Sequence, residues 1–274
     1  MAEKLGRQGD EYILSADQVE AYRCDGYLTL RDVVTEEELQ AIEPDFERFI
    51  QGEVTGMGRD FCDMSGPADR RFKDFSLVNA MLPRKYQPHL QDNVYERRAA
   101  SIARQLLGEQ AALDYDQFLA KRPNKPDAMF SWHQDLGYWP TNTPDTFTAT
   151  CSLALDDADS QNGCLQVVPG SQKGALRPHR PLHGEGKEEF HILSVTLDPA
   201  DRIVELPLKR GDITVHDELI LHGSGGNRTA DRWRRTYIVA FRHQDTVAYE
   251  RSVGFTHSHN DEIKWQTHLG ALNL

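Results

Sequence analysis

Cysteine is scarce in this chain: Cys24, Cys62, Cys151 and Cys164 are scattered through 274 residues, with no CxxC pair. That usage excludes a disulfide scaffold and a cysteine-based zinc site, and it fits reduced thiols. Long apolar runs are missing too. No stretch approaches the ~18 apolar residues of a membrane span, and "MAEKLGRQGDEYILS" has no apolar core of signal-peptide length. The expectation is a soluble, cytoplasmic protein. Positive charge is in deficit, 31 Lys+Arg against 43 Asp+Glu, for a formal charge of -12. This argues against a nucleic-acid partner, because phosphate binding needs a basic face. Internal repeats, low-complexity tracts and clear linkers are absent as well. What remains, 39% hydrophobic and 27% charged residues, is enough for a sizeable core.

The segment of about 15–110 reads as largely helical. Ser15 is an N-cap for a short helix that stops near Gly26, and "YLTLRDVV" alternates like a strand. Thr35 and Glu38 form a capping-box pattern before a helix that ends by Gly52. "QDNVYERRAASIARQLLGEQ" is amphipathic and ends at Gly108. From about 112 to 245 the chain turns into short alternating runs separated by Gly, Pro, Asn and Asp, which predicts an antiparallel sandwich or barrel. Residues 170–191 form a long polar insertion of the kind that serves as a lid or loop. The expected organisation is a single domain over 1–274, a mainly β core flanked by α-helices.

"SWHQDLGYWP", residues 131–140, places His133 and Asp135 two residues apart, on one face of a strand. A lone HxD is weak evidence for a metal site and needs a third ligand. Among the eleven histidines, His89, His243, His257, His259 and His268 sit in polar or terminal stretches and read as solvated. His179, His183 and His191 belong to the insertion. His216 and His222 remain, both within 211–242. His222 is favoured because it closes its run beside a glycine-rich turn, where a side chain can face a pocket. His216, in mid-run, reads as a buried hydrogen-bonded residue. After the turn, "RRTYIVAFR" is expected to return as the antiparallel partner, with paired Cβ atoms ~5 Å apart, so that an arginine approaches His222. Two histidines and one carboxylate are the donor set of the non-haem Fe(II) facial triad, and an arginine beside them can grip an anion bound to the same metal.

"HQDLGYWP", "NGCLQVVPGSQKG" and "HGSGGNRTADRWRR" closely resemble signature segments of the phytanoyl-CoA dioxygenase family. "QVEAYRCDGYLTLRDVVTEEELQAI" resembles its opening, and the similarity spans roughly 15–245. The resemblance implies a double-stranded β-helix (a cupin-like jelly roll) and an oxidoreductase using Fe(II) and 2-oxoglutarate. It puts the iron ligands on His133, Asp135 and His222. The 2-oxoglutarate-clamping arginine falls within Arg232, Arg234 and Arg235. Arg234, seven residues after Asn227, fits best, and Arg235 would point to the other strand face. Ser224 and Asn227 resemble residues that support the cosubstrate or its turn, and Gln117 sits where relatives place a side chain near the cosubstrate's other end. Ser152 departs from the pattern, standing where many relatives carry tryptophan. Asp135, an acid, disfavours the halogenase variant of this chemistry.

The implied reaction couples oxidative decarboxylation of 2-oxoglutarate to oxidation of a substrate C–H by O₂, with succinate and CO₂ released. The substrate would be a small organic molecule of secondary, lipid or small-acid metabolism. Desaturation, epimerisation and ring formation use the same ligands. A zinc hydrolase on the same triad leaves Arg234 without a role, and a jelly-roll binding module has no need of an open metal face. For substrate contacts the sequence offers Arg70, Arg71 and Lys73, the loop residues Arg177, Arg180 and His183, and the aromatics Tyr138 and Trp139. Each of these also reads as solvated surface or core packing.

Overall fold

The computed structural model describes residues 5–66, 70–140, 143–145, 147–181 and 192–261. Its centre is a pair of antiparallel sheets. The larger runs in the spatial order Tyr27–Leu30, Ile213–His216, Thr148–Ala154, Arg234–His243, Ala111–Lys121, Leu77–Met81, Phe61–Asp63. The smaller runs Val204–Leu206, Leu165–Val167, His222–Ser224, Phe130–His133. The two face one another across a cavity lined by both, which is the jelly roll expected.

Strand alternation divides the larger sheet into two chemistries. Phe118, Ala120, Cys151, Leu153, Val215, Tyr237 and Val239 turn outward into the main core. There they meet the helices Ala16–Asp25, Glu36–Ile50 and Val94–Leu107, with Phe46 and Phe49 against Phe118 at ring distances of 4.6 and 5.3 Å. Truncating a ring such as Phe46 to alanine costs about 3–5 kcal/mol. The opposite positions, Gln117, Leu119, Lys121, Thr150, Ser152, Arg234, Thr236 and Ile238, face the cavity.

Ser15 caps the first helix as read, and its pairing with Gln18 makes a capping box that was not expected; the Thr35–Glu38 box forms as read, and Gly26 ends the first helix at φ 79°. The N-terminal part is less helical than expected, since Phe61–Asp63 and Leu77–Met81 extend the larger sheet. Leu77–Met81 is buried on both faces, so its sequence shows no alternation to read. The helix Gln244–Ser252 was not expected either; it follows the last strand directly and is mostly polar.

The expected hairpin after His222 does not form. His222–Ser224 pairs with Phe130–His133 and Leu165–Val167, whereas Arg234–His243 belongs to the opposite sheet. The intervening turn is a crossover. A Cβ at Gly226 would lie 2.0 Å from the Pro126 carbonyl oxygen, so this close crossing requires glycine. Of the 170–191 insertion, the described part forms a turn at Ser171–Lys173 and a short ladder between Arg180–Pro181 and Leu193–Ser194. His183 and His191 lie outside the described residues, as does His268.

Candidate active site

His133 ends its strand, and His222, opening the neighbouring one, is its register partner. The two rings stand 4.1 Å apart between centroids. Gln134 continues in extended geometry (φ −119°, ψ 132°), so Asp135 returns to the face of His133 although it already begins a 3₁₀ turn, Asp135–Tyr138. Asp135 Oδ1 lies 3.3 Å from His133 Nε2 and 3.5 Å from His222 Nε2. One ligand atom from each of the three residues falls within 4.8 Å of the others.

Neighbouring backbone sets the tautomers. His133 Nδ1 donates to the Ser131 carbonyl at 2.7 Å and His222 Nδ1 to that of Ile220 at 3.0 Å, leaving both Nε2 atoms as acceptors toward the centre. Burial, then His133 and His216, push the His222 ring well below its ordinary pKa, which keeps it neutral. Burial opposes the charge on Asp135, but His222, His133 and His216 together hold its carboxyl well below the usual carboxylate range. Two imidazoles with Nε2 turned inward and a carboxylate, buried and convergent, fit a divalent first-row metal.

The segment carrying the ligands is fastened from behind. Gln134 points away from the centre, donating to the Leu219 carbonyl and accepting from Arg177 N, both at 2.8 Å. Its own N–H donates to His179 Nε2 at 3.0 Å. His179, read from sequence as a loop residue, is buried there, and a Cβ on Gly137 would lie 2.6 Å from its ring. His216, the last residue of its strand, is buried and hydrogen-bonded as expected, and its partner is the site itself, with Nε2 3.3 Å from Asp135 Oδ2. Sequence reading set it aside for His222 because a histidine in mid-run reads as core and one beside a glycine-rich turn reads as facing a pocket.

Beyond the triad the cavity divides. One lobe, about 70 Å³, contains Arg234, Lys121, Ser224, Gln117, Thr150 and Ser152. Arg234 and Lys121 are register partners on neighbouring strands. Lys121 is fully buried, donating to Ser224 Oγ at 2.6 Å and to the Gly225 carbonyl. Burial lowers the Arg234 guanidinium to about 10, and burial reinforced by Arg234 takes Lys121 well below the ordinary lysine range. Neither cation has a carboxylate partner among the described residues, so together they form a preorganised anion site. Gln117 lies between the lobes and donates to Asn79 Oδ1 at 2.6 Å.

Asn227 takes its place in the turn and not on the cavity wall. Its amide donates to the Arg232 carbonyl at 2.7 Å and its Oδ1 accepts from Thr229. Arg232 pairs with Asp159, and Arg235, on the helix-facing side, pairs with Asp156, Glu43 and Glu47. Of the other charged candidates, Arg70 pairs with Asp63, Arg71 with Asp74 and Arg177 with Asp201. None of these lines either lobe among the described residues. Lys121 is the residue that sequence reading passed over.

The second lobe, about 90 Å³, is walled mainly by aromatic and thioether side chains, including Tyr115, Tyr138, Trp139, Phe255, Met64 and Met81. His257, expected to be solvated, is buried in this wall and bonded to Asp114 at 2.8 Å.

The family model described as phytanoyl-CoA dioxygenase (PhyH) matches residues 22–236. The peroxisomal phytanoyl-CoA dioxygenase of Rattus norvegicus is 28% identical over 229 residues, covering 80% of this chain. The match spans 66% of the rat protein, just under two thirds of its length. Ectoine dioxygenase of Bordetella bronchiseptica is 29% identical over 226 residues, covering 78% of this chain and 71% of that protein. EvdO2 from Micromonospora carbonacea var. aurantiaca, solved in complex with 2-oxoglutarate, superposes with a TM-score of 0.68 at 26% identity, over 83% of this chain and 90% of that one. Fe(II) and 2-oxoglutarate are the cofactors of this class of oxidoreductase, and the triad and the cationic lobe fit them. The chain belongs to the phytanoyl-CoA dioxygenase family.

Proposed function

We propose that the protein is an Fe(II)- and 2-oxoglutarate-dependent dioxygenase that oxidises an unactivated C–H of a small organic molecule, most simply by hydroxylation, releasing succinate and CO₂. The observation that carries this reading is one cavity holding both a His133–Asp135–His222 donor set and two buried cations without a carboxylate partner. A buried unpaired cation is costly, and an anionic ligand bound beside the metal would relieve that cost. A keto diacid suits the arrangement, with one end at the triad and the other between Arg234 and Lys121.

In this reading His133 Nε2, Asp135 and His222 Nε2 hold the metal, and Arg234, Lys121 and Ser224 hold the distal carboxylate. Bound Fe(II) with 2-oxoglutarate supplies O₂ activation coupled to oxidative decarboxylation. The chain supplies geometry. His216 and the backbone carbonyls of Ser131 and Ile220 orient the ligands. His179 and Gln134 brace the segment between them, and Tyr138 and Trp139 keep water from the substrate lobe. The partners are O₂ and a small molecule. Four free thiols support a reducing compartment such as the cytoplasm, and no helix among the described residues is long and apolar enough to cross a membrane.

Anaerobic titration of metal-free protein with Fe(II) and 2-oxoglutarate is the test. The expected result is a visible charge-transfer band that is lost in His133→Ala. A folded protein that binds metal but gives no band would move the zinc-hydrolase and binding-module readings ahead. Desaturation, epimerisation and ring closure share these donors and are separated from hydroxylation by product analysis.

A further inference from the structure

The substrate lobe contains no lysine or arginine among the described residues. Apart from the metal ligands, its polar groups are on Gln117, His257, His259, the two tyrosine hydroxyls and the Trp139 indole N–H. Of these, His257 has the most constrained setting. Its ring is packed among Phe255, Tyr115 and Trp139 at centroid distances of 4.5, 4.4 and 5.4 Å. Only 6% of the residue is exposed, and its backbone is left-handed, at φ 65°. Such strain in a non-glycine residue persists only where its surroundings enforce it, and it concentrates at ligand sites.

Those surroundings are identifiable. Asp114 Oδ2 lies 2.8 Å from His257 Nε2, and Glu250 Oε2 lies 3.5 Å from the same atom. Burial works against a charge on the ring, but Asp114 and Glu250 raise its pKa above the ordinary histidine value. Arg251 pairs with Asp114 at 2.5 Å, and Arg242 pairs with Glu250 and stacks over Trp139 at 4.7 Å. These two guanidiniums supply counter-charge to Asp114 and Glu250. Flanking residues are pinned as well, since Ser258 Oγ and His259 N both donate to the buried Asp60, at 2.7 and 2.6 Å. The imidazole is thus fixed through Nε2, while Nδ1 has no partner among the described residues.

We propose that His257 is a substrate-binding residue, whose Nδ1–H donates to a single acceptor oxygen on a compact, otherwise apolar ring substrate held against Tyr115, Trp139 and Phe255. Describing that ligand as the substrate rests on the oxygenase reading above; its binding does not require iron. A donor on a cavity wall without a protein partner favours a ligand that supplies an acceptor over one that does not.

Calorimetric titration of the full chain, without added metal, would compare acetophenone with ethylbenzene, which share a ring and differ by a carbonyl in place of a methylene. Acetophenone is expected to bind at least tenfold more tightly. His257→Phe should abolish that preference while keeping the ethylbenzene affinity within twofold, and Trp139→Leu should weaken both probes alike. Equal affinities in the wild type, failure of both probes to bind, or a preference that survives His257→Phe would each overturn the proposal. The wild-type comparison decides even where His257→Phe misfolds with Asp114 left unpaired. Failure of the Fe(II)–2-oxoglutarate band in the same preparation would remove the oxygenase reading and leave the ring-binding result intact.

Discussion

On one side of the His133–Asp135–His222 set the cavity is cationic, with Arg234 and Lys121 buried side by side; on the other it is aromatic, with Trp139, Tyr138 and Phe255 and no free cation among the described residues. The larger sheet supplies both lobes: Lys121 and Tyr115 project from one face of the Ala111–Lys121 strand. The cationic lobe is specified by charge and admits few ligands. The aromatic lobe is specified by shape and by a hydrogen-bond donor, which suits a substrate that differs among relatives while the cosubstrate stays the same.

The largest way to break this contrast is to remove its cationic side. Truncating one partner of a buried charge pair costs about 2–5 kcal/mol, so Arg234→Ala should raise the Kd for 2-oxoglutarate by roughly 30-fold or more. Anaerobic titration of the charge-transfer band measures this, and the acetophenone affinity should stay unchanged. Equal losses at both lobes would show that the two ends are one site. Lys121→Met should act less strongly and with a divided outcome. Methionine replaces a buried, unneutralised ammonium, so the ligand-free protein should gain on the order of 1 kcal/mol, or about 2–4 °C in Tm. The 2-oxoglutarate Kd should rise roughly tenfold, the cost of one charge-assisted contact. A Tm that falls in ligand-free Lys121→Met would indicate that Ser224 and the Gly225 carbonyl already satisfy the lysine.

How far each lobe could be read in the sequence follows from how local its signals are. His133 and Asp135 are two residues apart, and extended geometry at Gln134 keeps them on one face, so spacing alone sufficed. Arg234 was reached by counting from Asn227, while the hairpin geometry first offered for it is absent, because the chain changes sheets across Gly226. Lys121 stands at a strand end before Arg122, Pro123, Asn124 and Lys125, a polar context that reads as solvent. It is buried because a turn about 100 residues later folds over it: the Gly225 carbonyl caps its ammonium, and a Cβ on Gly163 would lie 2.2 Å from that carbonyl oxygen. His257 was obscured in the same way, since its partner Asp114 is 143 residues away. Capping boxes and strand alternation are local and legible; the burial of a single polar side chain is decided by contacts distant in the chain.

The smallest predicted effect on the cavity comes from comparing the two faces of the Ala111–Lys121 strand. Asp116 lies on the helix-facing side, buried, with Oδ2 accepting from Arg84 N at 3.0 Å and Oδ1 without a hydrogen-bond partner. Burial pushes its carboxyl up to about 7, so between about pH 4 and 7 the folded state holds a proton that the unfolded chain has released. Stability from this group is therefore fully present below the unfolded value of about 4 and is lost as pH rises through 7. Asp116→Asn keeps an acceptor for Arg84 N and places an uncharged amide where Oδ1 stood alone. The variant should be more stable than wild type by on the order of 1–3 kcal/mol at pH 8, with the gap closing toward pH 4. Urea unfolding at the two pH values measures it. The affinities of the cavity for 2-oxoglutarate and for the ring probes should not change, because Asp116 reaches neither lobe. A gap that persists at pH 4 would assign the gain to packing and not to the proton.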